Sequence, residues 1–123
     1  MSLSLKIIEP EFAVCRLKEN SVPDSVYEFM FFSKTDEEIS LVCPVENIPS
    51  SIETCEKGWR AMRVTGTLDF SLIGIIAKIS EILAVNNIGI FVISTYKTDY
   101  ILVKKEQFDS AVNALRENGY IFV

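Results

Sequence analysis

Histidine is absent from the 123 residues of this chain. That one absence removes Ser/His and Cys/His nucleophilic catalysis, imidazole metal sites and the commonest general base. Basic residues are also in deficit, with 12 Lys and Arg against 17 Asp and Glu for a net charge of −5, and no basic cluster exceeds Lys104 and Lys105. Nucleic acid and anionic membrane both need a concentrated positive field, so neither is expected as a partner. Cysteine is scarce and odd in number. Cys15, Cys43 and Cys55 show no CxxC spacing, so neither a zinc site nor a disulfide framework is implied, and all three read as buried or inert reduced thiols. No apolar run approaches the ~18 residues of a membrane span, and Met1-Ser2-Leu3-Ser4-Leu5-Lys6 lacks the basic and apolar regions of a signal peptide. The cytoplasm is the expected compartment, and no metal or cofactor is called for.

Hydrophobic residues, at 49%, are abundant enough for a real core. The length fits one domain, or two half-size repeats sharing a core. Periodicity is clearest in the second half. Leu72, Ile75, Ile76, Ile79, Ile82 and Leu83 line one face of a four-turn helix, with Asp69 and Ser71 as candidate N-caps and Asn86 and Asn87 at its end. A second helix is predicted over 106–118, where Phe108, Ala111, Val112 and Leu115 repeat the template and Gly119 supplies the stop. Between them, 88–96 and 100–104 are strand-like and joined by Lys97-Thr98-Asp99. With strands at 59–65 and 120–123, the order is β, α, β, β, α, β. Two split β-α-β units of this kind make an antiparallel, ferredoxin-like α+β fold with both helices on one face.

The first half reads as a degenerate copy. A strand at 11–18 and a short Pro-containing connection lead to a hairpin of 27–33 and 38–43 around Lys34-Thr35-Asp36-Glu37, and Pro49 to Glu56 reads as two turns of helix. Either the strand at 59–65 is shared between repeats, or residues 3–8 supply an extra one. The break is placed near Lys57-Gly58, giving a degenerate repeat over 1–57 and an intact one over 58–123. Phe29, Met30, Phe31 and Phe32 form a continuous apolar run, read as a strand buried on both faces or an interface between repeats or subunits.

Two segments carry candidate chemistry. Gly66 can end a strand and turn the backbone toward a helix N-terminus, whose free amide groups favour a carboxylate. Asp69 either caps that helix itself or accepts hydrogen bonds from a ligand ammonium. In the hairpin, Ser94, Thr95, Tyr96, Asp99 and Tyr100 gather hydroxyls, an aromatic wall and a carboxylate. Such a mixture suits a small zwitterion, or else Thr95 and Asp99 merely cap a tight turn. Asp36, Glu37 and Glu38 read as a solvated turn, and Arg60 and Arg63 as strand residues that face solvent or reach a carboxylate across an interface.

The run Gly66-Thr67-Leu68-Asp69-Phe70-Ser71-Leu72-Ile73-Gly74, followed by Ile93-Ser94-Thr95-Tyr96-Lys97-Thr98-Asp99-Tyr100-Ile101-Leu102-Val103, resembles the ACT domain, and in particular small tandem-ACT proteins similar to cytosolic arginine sensors. The resemblance covers residues 58–120 well and the first half only by pattern. It implies a non-enzymatic regulatory module that binds an amino acid or similar metabolite between ACT repeats or subunits. On that resemblance the ligand contacts are Gly66, Thr67, Asp69, Ser94, Thr95, Tyr96, Thr98 and Asp99. Thr98 stands where the arginine sensors carry an aromatic residue, which weighs against arginine itself. A homodimer and a separate regulated protein are the implied partners. The competing expectation is an oligomerisation protein that has lost its ligand site.

Overall fold

The computed structural model describes residues 3–65 and 74–123. Its elements are β1 (Ser4–Leu17), β2 (Phe31–Lys34), β3 (Ile39–Pro44), β4 (Ile52–Thr65), α1 (Ile75–Val85), β5 (Phe91–Ser94), β6 (Asp99–Lys104), α2 (Phe108–Glu117) and β7 (Ile121–Phe122). The chain divides into a smaller unit, Pro10–Trp59, and a larger one, Met1–Glu9 with Arg60–Val123. Strands β1 and β4 each contribute residues to both.

In the larger unit the strands run in the order β7-β1-β4-β6-β5. β5 and β6 pair antiparallel from Phe91 opposite Leu102 to Ser94 opposite Asp99, while β7 runs parallel to Ser4 and Leu5 of β1. Residues 4–9 therefore take a place in a sheet whose remaining members lie 50 or more positions along the chain. The two helices behave as their periodicity predicts. Ile79 and Leu83 of α1 and Phe108, Ala111, Val112 and Leu115 of α2 are buried in one core with Leu5, Met62, Val64, Ile101 and Val103 of the strands. Alternate strand residues face that core because a strand repeats every second residue. Both helix ends were set by local chemistry: Asn87 (φ 59°) and Gly119 (φ 91°) adopt the left-handed conformation that follows a last turn. The expected caps Asp69 and Ser71, with Leu72, lie outside the described residues. The described helix starts after Gly74, at φ 79°.

The smaller unit has the strand order β2-β3-β1-β4. Phe12 to Arg16 pair antiparallel with Pro44 to Ser40, and Phe31 to Lys34 with Val42 to Ile39. Period-two packing puts Ala13, Cys15, Leu17, Ile39, Leu41 and Cys43 in one buried cluster. Phe12 and Val42 are buried on the other parity, and Phe12 meets Phe29 edge-on with ring centroids 6.2 Å apart. Two expectations fail here. Pro49 to Glu56 is not a helix: a single 3-10 turn at Val45–Asn47 precedes β4, which begins at Ile52. Eight residues are too few for a helix to persist without a face to bury. As a strand, Ile52 and Cys55 instead pack on the cluster and Ser51 accepts the Lys18 N–H at 2.9 Å. Nor is the phenylalanine run buried on both faces. Phe29 turns at φ 61°, so β2 starts only at Phe31, and Phe32 is 43% exposed.

The strand that contributes to both units is longer than the expected 59–65, and residues 4–9 supply a further one. β4 closes the smaller unit with residues 52–59 and opens the larger with 60–65, and the N-terminal residues do form a strand. Continuity through the middle of β4 requires Gly58, whose φ of 85° is open to glycine at no steric cost. Its N–H donates to the Glu11 carboxylate at 3.1 Å.

Candidate functional site

The hairpin between β5 and β6 is built by its threonines. Thr95 N–H donates to the Thr98 carbonyl at 2.8 Å, the Thr95 hydroxyl donates to the same oxygen at 2.9 Å, and Thr98 N–H returns a bond to Thr95 Oγ1 at 3.3 Å. Thr95 is thereby committed to closing the turn. The Thr98 hydroxyl donates to the Val64 carbonyl at 2.6 Å, tying the hairpin tip to the end of β4, and keeps only lone pairs for anything else. Ser94 and Asp99 face each other across the register, Ser94 exposed and Asp99 half-buried, and Tyr96 projects fully into solvent.

Beside this hairpin lies an open cleft of about 320 Å³, lined by Arg63, Thr65, Thr95, Lys97, Thr98 and Tyr100 together with Val64. The size sits at the small end of ligand pockets, which run from about 300 to 1,000 Å³. Arg63 is its most ordered charge. The guanidinium donates to the Tyr100 hydroxyl at 3.3 Å and lies 5.7 Å from the centre of that ring. That contact aims the fork, and a guanidinium carries five N–H donors. Lys97 adds a second positive charge, and among the described residues no Asp or Glu lines the wall. Chemically, the cleft can seat a small carboxylate with hydroxyl acceptors nearby.

Of the sequence-predicted residues, Thr95 and Thr98 line this cleft, whereas Ser94, Tyr96 and Asp99 belong to the same hairpin but not to its lining. Gly66, Thr67 and Asp69 lie outside the described residues. Sequence reasoning underrated Arg63 and did not single out Lys97. The usable signal for Arg63 was a cation two residues before the end of a strand.

The smaller unit repeats the device with different charges. Thr35 N–H donates to the Glu38 carbonyl at 2.9 Å, and Thr35 Oγ1 accepts from Glu37 and Glu38 N–H at 3.1 and 3.2 Å. An adjoining cleft of about 680 Å³ is lined by Arg16, Lys34, Asp36, Glu37, Glu38 and Glu53 among others, with Arg16 and Glu53 3.5 Å apart. Five acidic and three basic side chains line it, so its net charge is −2.

The larger unit is thus an α+β fold with two helices on a sheet and a polar cleft at a hairpin tip. The chain belongs to the ACT domain family, whose pattern matches residues 54–117, and a separate N-terminal-domain family matches residues 10–51. ACT domains are in general regulatory rather than catalytic. A structural-genomics protein of Agobacterium tumefaciens is 28% identical over all of this chain and 93% of its own, with a TM-score of 0.90. Aspartate kinase of Clostridium acetobutylicum, an allosteric enzyme, shares the fold at 18% identity and a TM-score of 0.68, covering 94% of this chain but 34% of the enzyme. The regulatory subunit of aspartate kinase from Thermus thermophilus shares it at 9% identity and a TM-score of 0.60, over 92% of this chain and 95% of that one. Among the described residues no helix is long and apolar enough to cross a membrane.

Proposed function

We propose that this protein is a non-enzymatic regulatory module that binds an amino acid or similar small carboxylate at the β5–β6 hairpin of its larger unit and passes occupancy to another protein. The observation that supports this reading most directly is the cleft that pairs Arg63 and Lys97 with the Thr98 hydroxyl inside the ACT-matching segment. The ligand carboxylate meets Arg63 in a charge-assisted bond, and the Thr98 oxygen accepts from the ligand ammonium. Asp99 and Ser94, on the same hairpin, extend the acceptor set toward a cationic side chain. Gly66, Thr67 and Asp69 complete the site, as the family resemblance implies. A neighbouring subunit covers the open side, as in an interfacial ACT site, and differential affinity for two packings makes the module a switch.

Thermal denaturation of the full chain against the twenty amino acids tests this reading. A ligand at 100-fold its Kd should stabilise the fold by about 2.7 kcal/mol, and Arg63→Ala should abolish the shift without unfolding the protein. No shift with any amino acid or small carboxylate would favour the oligomerisation role. A shift that survives Arg63→Ala would move the site elsewhere.

A further inference from the structure

The three cysteines, scattered over 41 positions of sequence, meet in the smaller unit. Cys15 on β1 and Cys43 on β3 are buried in its core, and half-buried Cys55 on β4 packs against the same cluster. The strand order puts β1 between β3 and β4. Cys15 therefore lies on the middle strand of the three, and Cys55 on the neighbouring strand packs against the cluster that holds it. Cys43 and Cys55 are separated by two strand spacings, about 9–10 Å. That exceeds the Cα separation of about 7 Å beyond which a disulfide cannot close without backbone movement. The described residues contain no group of three or more His, Cys, Asp or Glu suited to holding a metal ion. What the cluster offers is thiol chemistry, with one accessible member and one buried neighbour in reach.

We infer that Cys55 is a peroxide-oxidisable thiol whose sulfenic acid is trapped by Cys15 as an intramolecular disulfide joining β1 to β4 within the smaller unit. In the first step the Cys55 thiolate sulfur attacks a hydroperoxide oxygen. The O–O bond breaks, an S–O bond forms, and the departing oxygen leaves as water or alcohol after taking a proton. The sulfur is oxidised by two electrons and the peroxide is reduced. In the second step the Cys15 sulfur attacks the Cys55 sulfur, forming the S–S bond and breaking S–O. The departing hydroxide takes the Cys15 proton and leaves as water. Cys15 holds its proton tightly, because its hydrogen bond to Cys43 and then its burial push its pKa up, while Cys43 is pulled down by receiving that bond. The trapping step is consequently the slow one, and the sulfenic acid accumulates before the disulfide.

Hydrogen peroxide added to the full-length protein, with dimedone trapping at early times and denaturing alkylation with peptide mapping at late times, tests this assignment. The expected result is a dimedone adduct at Cys55 first, then a linked pair of peptides containing Cys15 and Cys55, with Cys43 still alkylated. Cys43→Ala should leave the disulfide in place. Cys15→Ala should convert it into sulfenic and then sulfinic acid at Cys55, and should that variant fail to fold, Cys43→Ala and the unmodified chain still decide the pairing. Three equally alkylated thiols after a dose that oxidises free glutathione would overturn the proposal. So would a disulfide that includes Cys43.

Discussion

The two units solve the same turn with the same residue and then part company. β2 and β5, β3 and β6, and the 3-10 turns that follow them at 45–47 and 105–107 all correspond at a spacing of sixty residues, with Thr35 and Thr95 closing the hairpins. Elsewhere the spacing slips. The connection from β1 to β2 spans residues 18–30, whereas that from β4 to β5 spans 66–90 and contains α1. Twelve extra residues give the larger unit a helix, and with α2 a helical layer over its core. The smaller unit covers its sheet with side chains from irregular segments, among them Met30, Val45 and Ile48. The same strand-and-hairpin frame thus stands with helices in one unit and without them in the other, but the charge placed on the frame decides what each cleft can bind. Among the described residues Arg63 and Lys97 line one without a carboxylate, while Arg16 faces Glu53 in the other.

The sharpest test of this comparison removes the cores. Phe12→Ala in the smaller unit should cost about 3–5 kcal/mol, since the ring is fully buried and stacks edge-on with Phe29. Leu83→Ala in α1 should cost about 3 kcal/mol for the same reason. Urea unfolding measures both, and a Phe12→Ala cost below that of an exposed substitution would mean that the smaller unit has no core of its own. Next in size is the charge contrast. Arg63→Ala should weaken binding of a carboxylate ligand at least 10-fold, the loss of one charge-assisted bond of about 1.5–3 kcal/mol, while Arg16→Ala should leave that affinity unchanged. Isothermal titration distinguishes them, and equal losses would erase the difference between the clefts.

Thr35→Ala and Thr95→Ala should each cost about 1 kcal/mol of stability. If Thr95→Ala instead removes ligand response at unchanged stability, Thr95 serves the ligand and not the turn. The smallest effect concerns Tyr120, whose phenol is pushed above its ordinary pKa of 10.0 by burial. The folded state then binds this proton more tightly than the unfolded chain. Its contribution is complete below pH 10 and declines as the pH rises through the raised value. Tyr120→Phe should flatten that alkaline decline, and a profile identical to the parent's would show that Tyr120 is not its source.

The helices and the second hairpin were legible because each carries its own instructions. Isoleucine and leucine at helical spacing, the asparagines after α1 and the glycine after α2 act within a few residues of where they stand. The stretch from Pro49 to Glu56 was not legible in the same way. Its local residues permit a short helix, and only β1 alongside it makes the strand the better partner for Ile52 and Cys55. The departure at Phe29 has a similar origin: its φ of 61° lets it reach Phe12, a preference no neighbouring residue announces. The cleft was half-legible. The hairpin hydroxyls stand together in sequence, but Arg63 arrives from more than thirty residues away, and Tyr100 fixes its direction only in the folded chain. The company of the cysteines was not legible at all, since spacing along the chain says nothing about three strands that lie side by side.

The parallel pairing of β7 with Ser4 and Leu5 has a consequence for how the protein is born. β1 leaves the ribosome more than a hundred residues before β7, so Ser4 and Leu5 must wait, unpaired on that edge, while the intervening chain is made. Residues 10–59 are complete by then and can fold while synthesis continues. The chain's first strand is therefore a placeholder at the exit tunnel: one half of it is claimed early by the smaller unit, and the other half is held open for residues not yet made.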